Sequence, residues 1–415
     1  MNKDRFGKLT TLLSLYTAQA IPMSFFTTVI PVIMRQQHYS LEAIGLMQLV
    51  KLPWVLKFLW APYIDKTGGG TIGYKRWIFQ AEAFYAVAIA SIAFFPIQDH
   101  FTLVVVLMVL AVTASATQDI ATDAWAILSL KKEERSLGNS MQSVGSFIGA
   151  LLGSGVLLVV YHYLGWQILL LSLALLVLAA LIPLALYQPA QLVSRRPRSK
   201  TVSMGDILGF FRQSSLWPHL LFLATFHASL IGIMAMVKPL LIDLGYNARD
   251  VGIIAGIFGT ATGAVFALLA GIFMKKISRK AAALSLGFLN LLPPAAFLLL
   301  GPYAVHQSVA MLLVALLWGV YAMGMVLVFT AAMDQVRSCR EGTDFTLQIV
   351  VVHLGSLVFA VGSGKIAETF SYQGLFGVSL FAGLLALGFV INRFFWVGKG
   401  PADDHLTTNQ TSDHG

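Results

Sequence analysis

The sequence consists of long apolar stretches separated by short, mostly basic segments. Twelve such stretches occur, and a helix of roughly 20 apolar residues is enough to cross the hydrocarbon of a bilayer. Residues of the hydrophobic type make up 57% of the chain and charged residues 11%, a balance that a soluble domain could not bury. We therefore predict an all-α integral membrane protein. The stretches are 9–34, 41–63, 77–97, 101–127, 138–163, 165–187, 216–243, 248–273, 281–301, 307–333, 343–369 and 373–396.

Basic residues lie mainly on one side of these stretches. If the N-terminus faces the cytoplasm, the outside connections contain only Arg35 and Arg249, and every inside segment contains lysine or arginine. This is the positive-inside distribution. It predicts a multi-pass membrane protein with both termini in the cytoplasm. The net charge of +9 then reflects topology and contact with anionic lipids, and gives no reason to expect nucleic-acid binding.

Several kinds of site are missing from the sequence. Cys339 is the single cysteine, so an internal disulfide is excluded, and no Cys/His cluster has metal-ligand spacing. No Gly-x-x-x-x-Gly-Lys-Ser/Thr loop is present, which argues against ATP hydrolysis by this chain. We therefore expect no cofactor or metal and take the proton gradient as the energy source.

Two segments that lie half a chain apart repeat one pattern. Residues 39–46 and 246–253 share a tyrosine, a β-branched residue and a glycine at an offset of 207 residues. Each segment opens an apolar stretch that ends in a basic loop, so the pattern indicates a parallel repeat of two six-helix halves. The predicted parts are an N-terminal half at 1–187, a cytoplasmic linker at 188–215, a C-terminal half at 216–396 and a polar tail at 397–415.

Charged residues within the apolar stretches are the first candidates for function. Asp119 and Asp123 are four residues apart and share one face of a helix. Lys57 should lie at a similar depth, and Glu82 is a further possible member of the group. A carboxylate inside a membrane is costly and needs a partner or water. Two interpretations stay open, a proton-coupled charge relay and a static ion-pair network.

Several runs resemble the AmpG-like branch of the major facilitator superfamily. They are Ser40–Gly45, Leu56–Asp65, Gln118–Ala124, Glu133–Arg135 and Gly165–Trp166. The resemblance is strong over residues 40–185 and looser in the C-terminal half. It implies twelve helices in two halves around a central cavity, with Lys57, Asp65, Asp119 and Asp123 at motif positions of the branch.

The resemblance also assigns roles to further residues. After the second stretch, Asp65 with Lys75 and Arg76 is similar to the loop that latches one half of such transporters against the other; ordinary interfacial charge is the alternative. Several polar residues near mid-membrane are candidates for substrate contact, foremost those on the cavity-lining helices of this fold, although each could instead bond a neighbouring helix. These candidates are Tyr16, Gln19, Gln118, His227, Tyr321 and His353.

The AmpG-like branch contains muropeptide permeases, siderophore importers and acetyl-CoA transporters. The compact length and the runs 137–142 and 238–245 look more like the siderophore subgroup. The resemblance therefore implies a monomeric permease of the bacterial inner membrane that imports a ferric siderophore, with a muropeptide as the alternative small-molecule substrate. A membrane-bound transferase is a weaker alternative, because no nucleophile or metal set accompanies the buried acids. A non-transporting sensor is a further alternative, which would bind ligand without accumulating it.

Overall fold

The computed structural model describes residues 3–37, 47–96, 99–187, 203 and 205–393. The first copy of the predicted repeat, most of the predicted linker and the polar tail lie outside these residues.

Helices account for the regular structure in the described ranges, where no strand occurs. The all-α prediction is therefore confirmed. The helices of the first part are α1 (Lys3–Ser24), α2 (Ile30–Gln36), α3 (Leu52–Leu56), α4 (Ala61–Gly68), α5 (Thr71–Ile92), α6 (Phe101–Ser129), α7 (Arg135–Leu151), α8 (Leu157–Ala179) and α9 (Ile182–Leu186). Those of the second part are α10 (Gly205–Phe211), α11 (Trp217–Thr225), α12 (Ala228–Asp243), α13 (Ala248–Val251), α14 (Gly259–Met274), α15 (Arg279–Leu289), α16 (Leu292–Leu300), α17 (Gln307–Asp334) and α18 (Glu341–Arg393).

Seven helical stretches in the described ranges are long and apolar enough to cross a membrane. Two of them exceed 50 residues and are interrupted inside, one at Gly165 with φ 78° and one at Ser371 with φ 61°. Both interruptions fall where the sequence predicts a boundary between two stretches. The count of twelve spans stays a prediction. The seven stretches are Phe101–Ser129, Lys132–Leu186, Ser214–Asp243, Arg249–Met274, Arg279–Tyr303, Gln307–Asp334 and Glu341–Asn392.

The chain forms two compact units. The first contains residues 1–131, 144–207 and 338–346, and the second contains 132–143, 208–337 and 347–415. Each unit has its own apolar core, built in the first around Phe25, Ile89 and Leu173 and in the second around Ile233 and Leu317. The first unit, built mainly from the N-terminal part of the chain, thus includes the short segment 338–346. The second unit, built mainly from the C-terminal part, includes the short segment 132–143.

A line of glycines on α7 and the π-helical turn Leu152–Val156 that follows it brings their backbone close to α1. A Cβ added at Gly149 would lie 2.4 Å from the carbonyl oxygen of Thr17, and one at Gly153 would lie 2.3 Å from that of Ile21. Such distances are shorter than any ordinary contact, so only glycine fits. The spacing of four residues keeps these positions on one helix face, as in other small-residue membrane interfaces.

Candidate functional site

The first candidate group centres on an ion pair between Lys57 and Asp119. Lys57 lies in a 3-10 turn between α3 and α4, and the ammonium donates to Oδ2 of Asp119 on α6. Pro53 and Pro62 occupy the first turns of α3 and α4, where a missing N–H is tolerated. The second apolar stretch is therefore built from short helical pieces, and Lys57 extends from one of their junctions. The Lys57 ammonium also lies 4.9 Å from the Trp54 ring centroid, a cation–π distance.

Asp123, one turn further along α6, has a different partner. Its Oδ1 accepts a hydrogen bond of 2.8 Å from the hydroxyl of Tyr16 on α1. Both side chains are buried. The two acids thus share one face of α6, and one is held by a cation and the other by a neutral donor.

Glu82 on α5 adds a third buried acid. Its side chain is enclosed by protein, and no hydrogen bond or ion pair joins it to another residue of the described ranges. Tyr85, three residues further on, is also buried and its hydroxyl has no partner there. The predicted group therefore consists of three buried acids, Asp119, Asp123 and Glu82, and one buried lysine, Lys57. A buried carboxylate without a cation or a hydrogen-bond donor is strongly disfavoured in such surroundings.

Asp65 on α4 binds the beginning of α18. Its carboxylate accepts hydrogen bonds from the N–H groups of Gly342 at 2.9 Å and Thr343 at 2.7 Å, from the Thr343 hydroxyl at 2.6 Å and from the Tyr74 hydroxyl at 2.7 Å. These N–H groups have no partner within their own helix, and the positive end of the helix dipole favours the carboxylate. Burial raises the pKa of Asp65 to about 7, although the hydrogen bonds oppose this shift.

The basic residues expected beside Asp65 have other surroundings. Lys75 donates to the carbonyl oxygen of Tyr187 at 3.2 Å, and Arg76 is exposed. Within the described ranges neither of them bonds Asp65. The expected basic partners are therefore replaced by backbone N–H groups and hydroxyls. A Cβ added at Gly342 would lie 2.7 Å from the Asp65 carboxylate, so the close approach requires glycine there.

The structure distributes the candidate substrate residues over both units. Gln19 and Gln118 are buried in the first unit, and each has amide atoms without a partner in the described ranges. His227 and Tyr321 lie together in the second unit with ring centroids 5.0 Å apart. His353 is exposed. Tyr16 belongs to the acidic group described above.

One cluster was missed by the sequence analysis. Asp334 at the end of α17 binds Arg135 at 2.7 Å and Arg279 at 2.9 Å, and its side chain is 3% exposed. Arg279 also donates to the carbonyl oxygen of Lys132 at 3.0 Å. The only sequence signal is an acid at the end of an apolar stretch, and partners 55 and 199 residues away cannot be read from local spacing.

A second missed contact involves the short helix α10, which lies within the predicted linker 188–215. The Asp206 carboxylate binds the Arg340 guanidinium, with a closest N–O distance of 2.6 Å. Asp206 also accepts from the N–H of Ser203 at 2.7 Å. The segment 338–346 of the first unit is thus bound by two acids, Asp65 and Asp206.

Comparison with known proteins identifies the family. The sequence profile of the Major Facilitator Superfamily matches residues 12–343. The chain belongs to the Major Facilitator Superfamily.

Relatives within this superfamily confirm the resemblance to its AmpG-like branch. The chain is 28% identical over 283 residues to the anhydromuropeptide permease of Escherichia coli (strain K12), a match that covers 67% of this chain and 58% of that permease. It is 26% identical over 305 residues to AmpG 3 of Rickettsia prowazekii (strain Madrid E), covering 70% of this chain and 72% of that protein. The match therefore spans less than two thirds of the E. coli permease.

Solved structures agree with the superfamily fold. The crystal structure of a bacterial homologue of the iron transporter ferroportin superposes with a TM-score of 0.68 over 96% of this chain and 100% of that chain, at 16% identity. At this identity the likeness concerns the major facilitator fold alone.

Proposed function

We propose that this chain is an inner-membrane permease that imports muropeptides, which are peptides carried on amino sugars. The proton gradient supplies the energy, and no cofactor takes part. The single observation that supports this substrate class is the similarity to the E. coli anhydromuropeptide permease. The siderophore expected from runs 137–142 and 238–245 has no support from the relatives reported above. Muropeptide, the alternative in the sequence analysis, therefore becomes the leading substrate, moved by a transporter that acts as a monomer and is not an enzyme.

The proposed coupling uses the acids of the first unit. When Asp119 takes up a proton, the attraction that holds Lys57 is lost, and the two helices that bear them can separate. Lys57 lies within electrostatic range of Asp123 as well, so it has a second acid to pair with. Glu82 and Asp123 supply further proton sites. Gln19, Gln118, His227, Tyr321 and His353 are the proposed substrate contacts, and Asp65 is the proposed latch.

The test is uptake of labelled anhydromuropeptide by cells that overproduce this chain and lack their own permease. Ferric siderophores are offered in parallel, and each assay is repeated with a protonophore. We expect muropeptide accumulation that the protonophore abolishes. Accumulation of a siderophore alone, or of neither solute, would reject the proposed substrate.

The same assay tests the coupling residue. Asp119→Asn should reduce proton-driven uptake by about 100-fold or more while folded protein stays in the membrane, because an amide cannot bind and release the proton. The matched control is Asp99→Asn, the same change at an exposed acid in the connection before α6. Uptake by the Asp119 variant at the control's level would make Asp119 a packing residue.

A further inference from the structure

The helical path of the second unit is broken between α11 and α12, at Phe226 and His227. In a continuous helix the N–H of Leu230 would bond the carbonyl of Phe226. Here the N–H groups of Leu230 and Ile231 both donate to the carbonyl oxygen of His227, at 2.9 and 3.0 Å. The carbonyl of Phe226 is therefore left without a partner from its own helix.

A second break separates α15 from α16 at Asn290 and Leu291. Its cause lies in the sequence, because Pro293 and Pro294 follow and have no N–H to donate. The residue four positions after Asn290 is Pro294, so the carbonyl of Asn290 also lacks its helical partner.

Each break supplies the bond that the other one lacks. The Asn290 side-chain amide donates to the carbonyl oxygen of Phe226 at 2.8 Å, and the Ser229 hydroxyl donates to the carbonyl oxygen of Asn290 at 3.3 Å. Ser229 and Asn290 are both buried. Because an unpaired carbonyl is costly where water is absent, these two bonds make the breaks stable together. We call Phe226, Ser229 and Asn290 the helix-break clasp.

His227 occupies the broken position itself. Its ring packs edge-on against Tyr321 of α17 with centroids 5.0 Å apart. On the same helix, a Cβ added at Gly324 would lie 2.5 Å from Nε2 of His227, so glycine is required for the imidazole to fit. The break therefore sets where the imidazole lies relative to α17.

We propose that Asn290 and Ser229 are positioning residues of the substrate site, which hold the path from α11 to α12 broken so that His227 and Tyr321 form one recognition surface. Irregular backbone at membrane depth is typical of the binding regions of transporters. An imidazole beside a phenol offers both stacking and hydrogen bonding, which suits the sugar rings and amides of a muropeptide. The substrate part of this inference rests on the proposed function.

Kinetics of muropeptide uptake test the positioning role. Asn290→Leu keeps the number and branching of the side-chain heavy atoms but removes the donor to Phe226, and Ser229→Ala removes the donor to Asn290. Each should raise KM by about tenfold, the effect of one misplaced hydrogen-bonding group, with the maximal rate within about twofold of wild type. The matched control is Ser363→Ala, a buried serine whose hydroxyl bonds Ala360 in its own helix at 2.6 Å.

A double-mutant comparison separates positioning from general weakening. In a His227→Ala background the clasp variants should add nothing further to KM, since they act through that side chain. A full additional rise in that background, or the same KM shift in the Ser363 control, would overturn the proposal.

Amide hydrogen exchange gives a readout that needs no substrate. Exchange of the segment 226–231 should accelerate in Asn290→Leu and Ser229→Ala, because the broken backbone loses its external bonds, and should stay unchanged in Ser363→Ala. If wild type imports no muropeptide, the proposed function fails, and exchange alone then decides on the clasp. Accelerated exchange supports it and unchanged exchange overturns it.

Discussion

At the scale of single residues, Lys57, Asp119 and Asp123 show what helical spacing can and cannot predict. The four-residue spacing places both acids on one face of α6, as expected. It does not decide which acid takes the lysine, because that depends on the junction between α3 and α4 and on Tyr16 from α1. The structure pairs Lys57 with Asp119.

Removing the lysine should expose the cost of a buried charge. We expect Lys57→Ala to lower the free energy of unfolding by about 3–5 kcal/mol, since Asp119 would be left without its cation. Asp119→Asn in the same chain should recover much of this loss. The measurement is thermal unfolding of the purified protein in detergent, with Lys57→Ala/Asp123→Asn as the control. Equal recovery by both second substitutions would contradict the specific pairing.

At the scale of elements, helix contacts depend on residues that carry no chemistry. The small-residue spacing at Gly145, Gly149 and Gly153 is readable in the sequence, and the structure shows that α1 is the helix packed against it. The break at Phe226–His227 is not readable, because no proline or glycine lies within four residues of it. Its determinant is Asn290, some sixty residues away.

The glycine line allows a prediction with an internal control. Gly153→Ala should destabilise the protein by about 1–3 kcal/mol, because the added methyl group would overlap the α1 backbone. Gly155→Ala should be neutral or slightly stabilising, since a Cβ there would meet only Leu151 at 3.9 Å. Thermal unfolding of the two variants gives the comparison. Equal stability of both would show that α1 can shift without cost.

The contact between Asp65 and the beginning of α18 should depend on pH. Asp65 lies beyond the predicted span 41–63, and its pKa is about 7 in the contact, against about 3.9 for a carboxyl in water. Asp65 has its higher pKa while the contact is formed, and therefore binds a proton more tightly in that state. Low pH accordingly favours the contact. The contact should weaken as pH rises through about 7, because Asp65 then loses this proton.

Cys339, which precedes α18, can report on this change. Weakening of the contact should make the Cys339 thiol easier to alkylate. We therefore measure the ratio of the alkylation rate in wild type to that in the Asp65→Asn variant, and expect this ratio to rise by up to about tenfold between about pH 6 and about pH 8. The division removes the part of the pH dependence that does not involve Asp65. A ratio that does not change with pH would contradict the linkage.

At the scale of the whole molecule, composition and charge distribution were enough to predict an all-α membrane protein, and the motif runs were enough to predict its branch. The proposed latch was predictable in part, because Asp65 ends a recognisable run. Its partners Gly342 and Thr343 were not, since backbone donors leave no signal in side-chain chemistry. For the same reason the sequence did not assign segment 338–346 to the first unit.

The assignment of segment 338–346 to the first unit predicts that two fragments of the chain will associate. If residues 1–199 and 200–415 are produced as separate chains in one cell, an affinity tag on the first should recover the second, because segment 338–346 packs in the first unit. Asp65→Ala should lower recovery by about tenfold, as several charge-assisted hydrogen bonds are lost. Asp99→Ala should leave it unchanged. A similar loss in both variants would refute a specific role for Asp65.

The cluster of Asp334, Arg135 and Arg279 also has a consequence for how the gene can vary. One carboxylate serves two guanidinium groups, so replacing either arginine by a neutral residue still leaves an intact pair. Replacing the aspartate leaves two cations facing each other in a buried place. Substitutions should therefore be tolerated unequally within this cluster. The protein should accept a change at either arginine more readily than a change at Asp334.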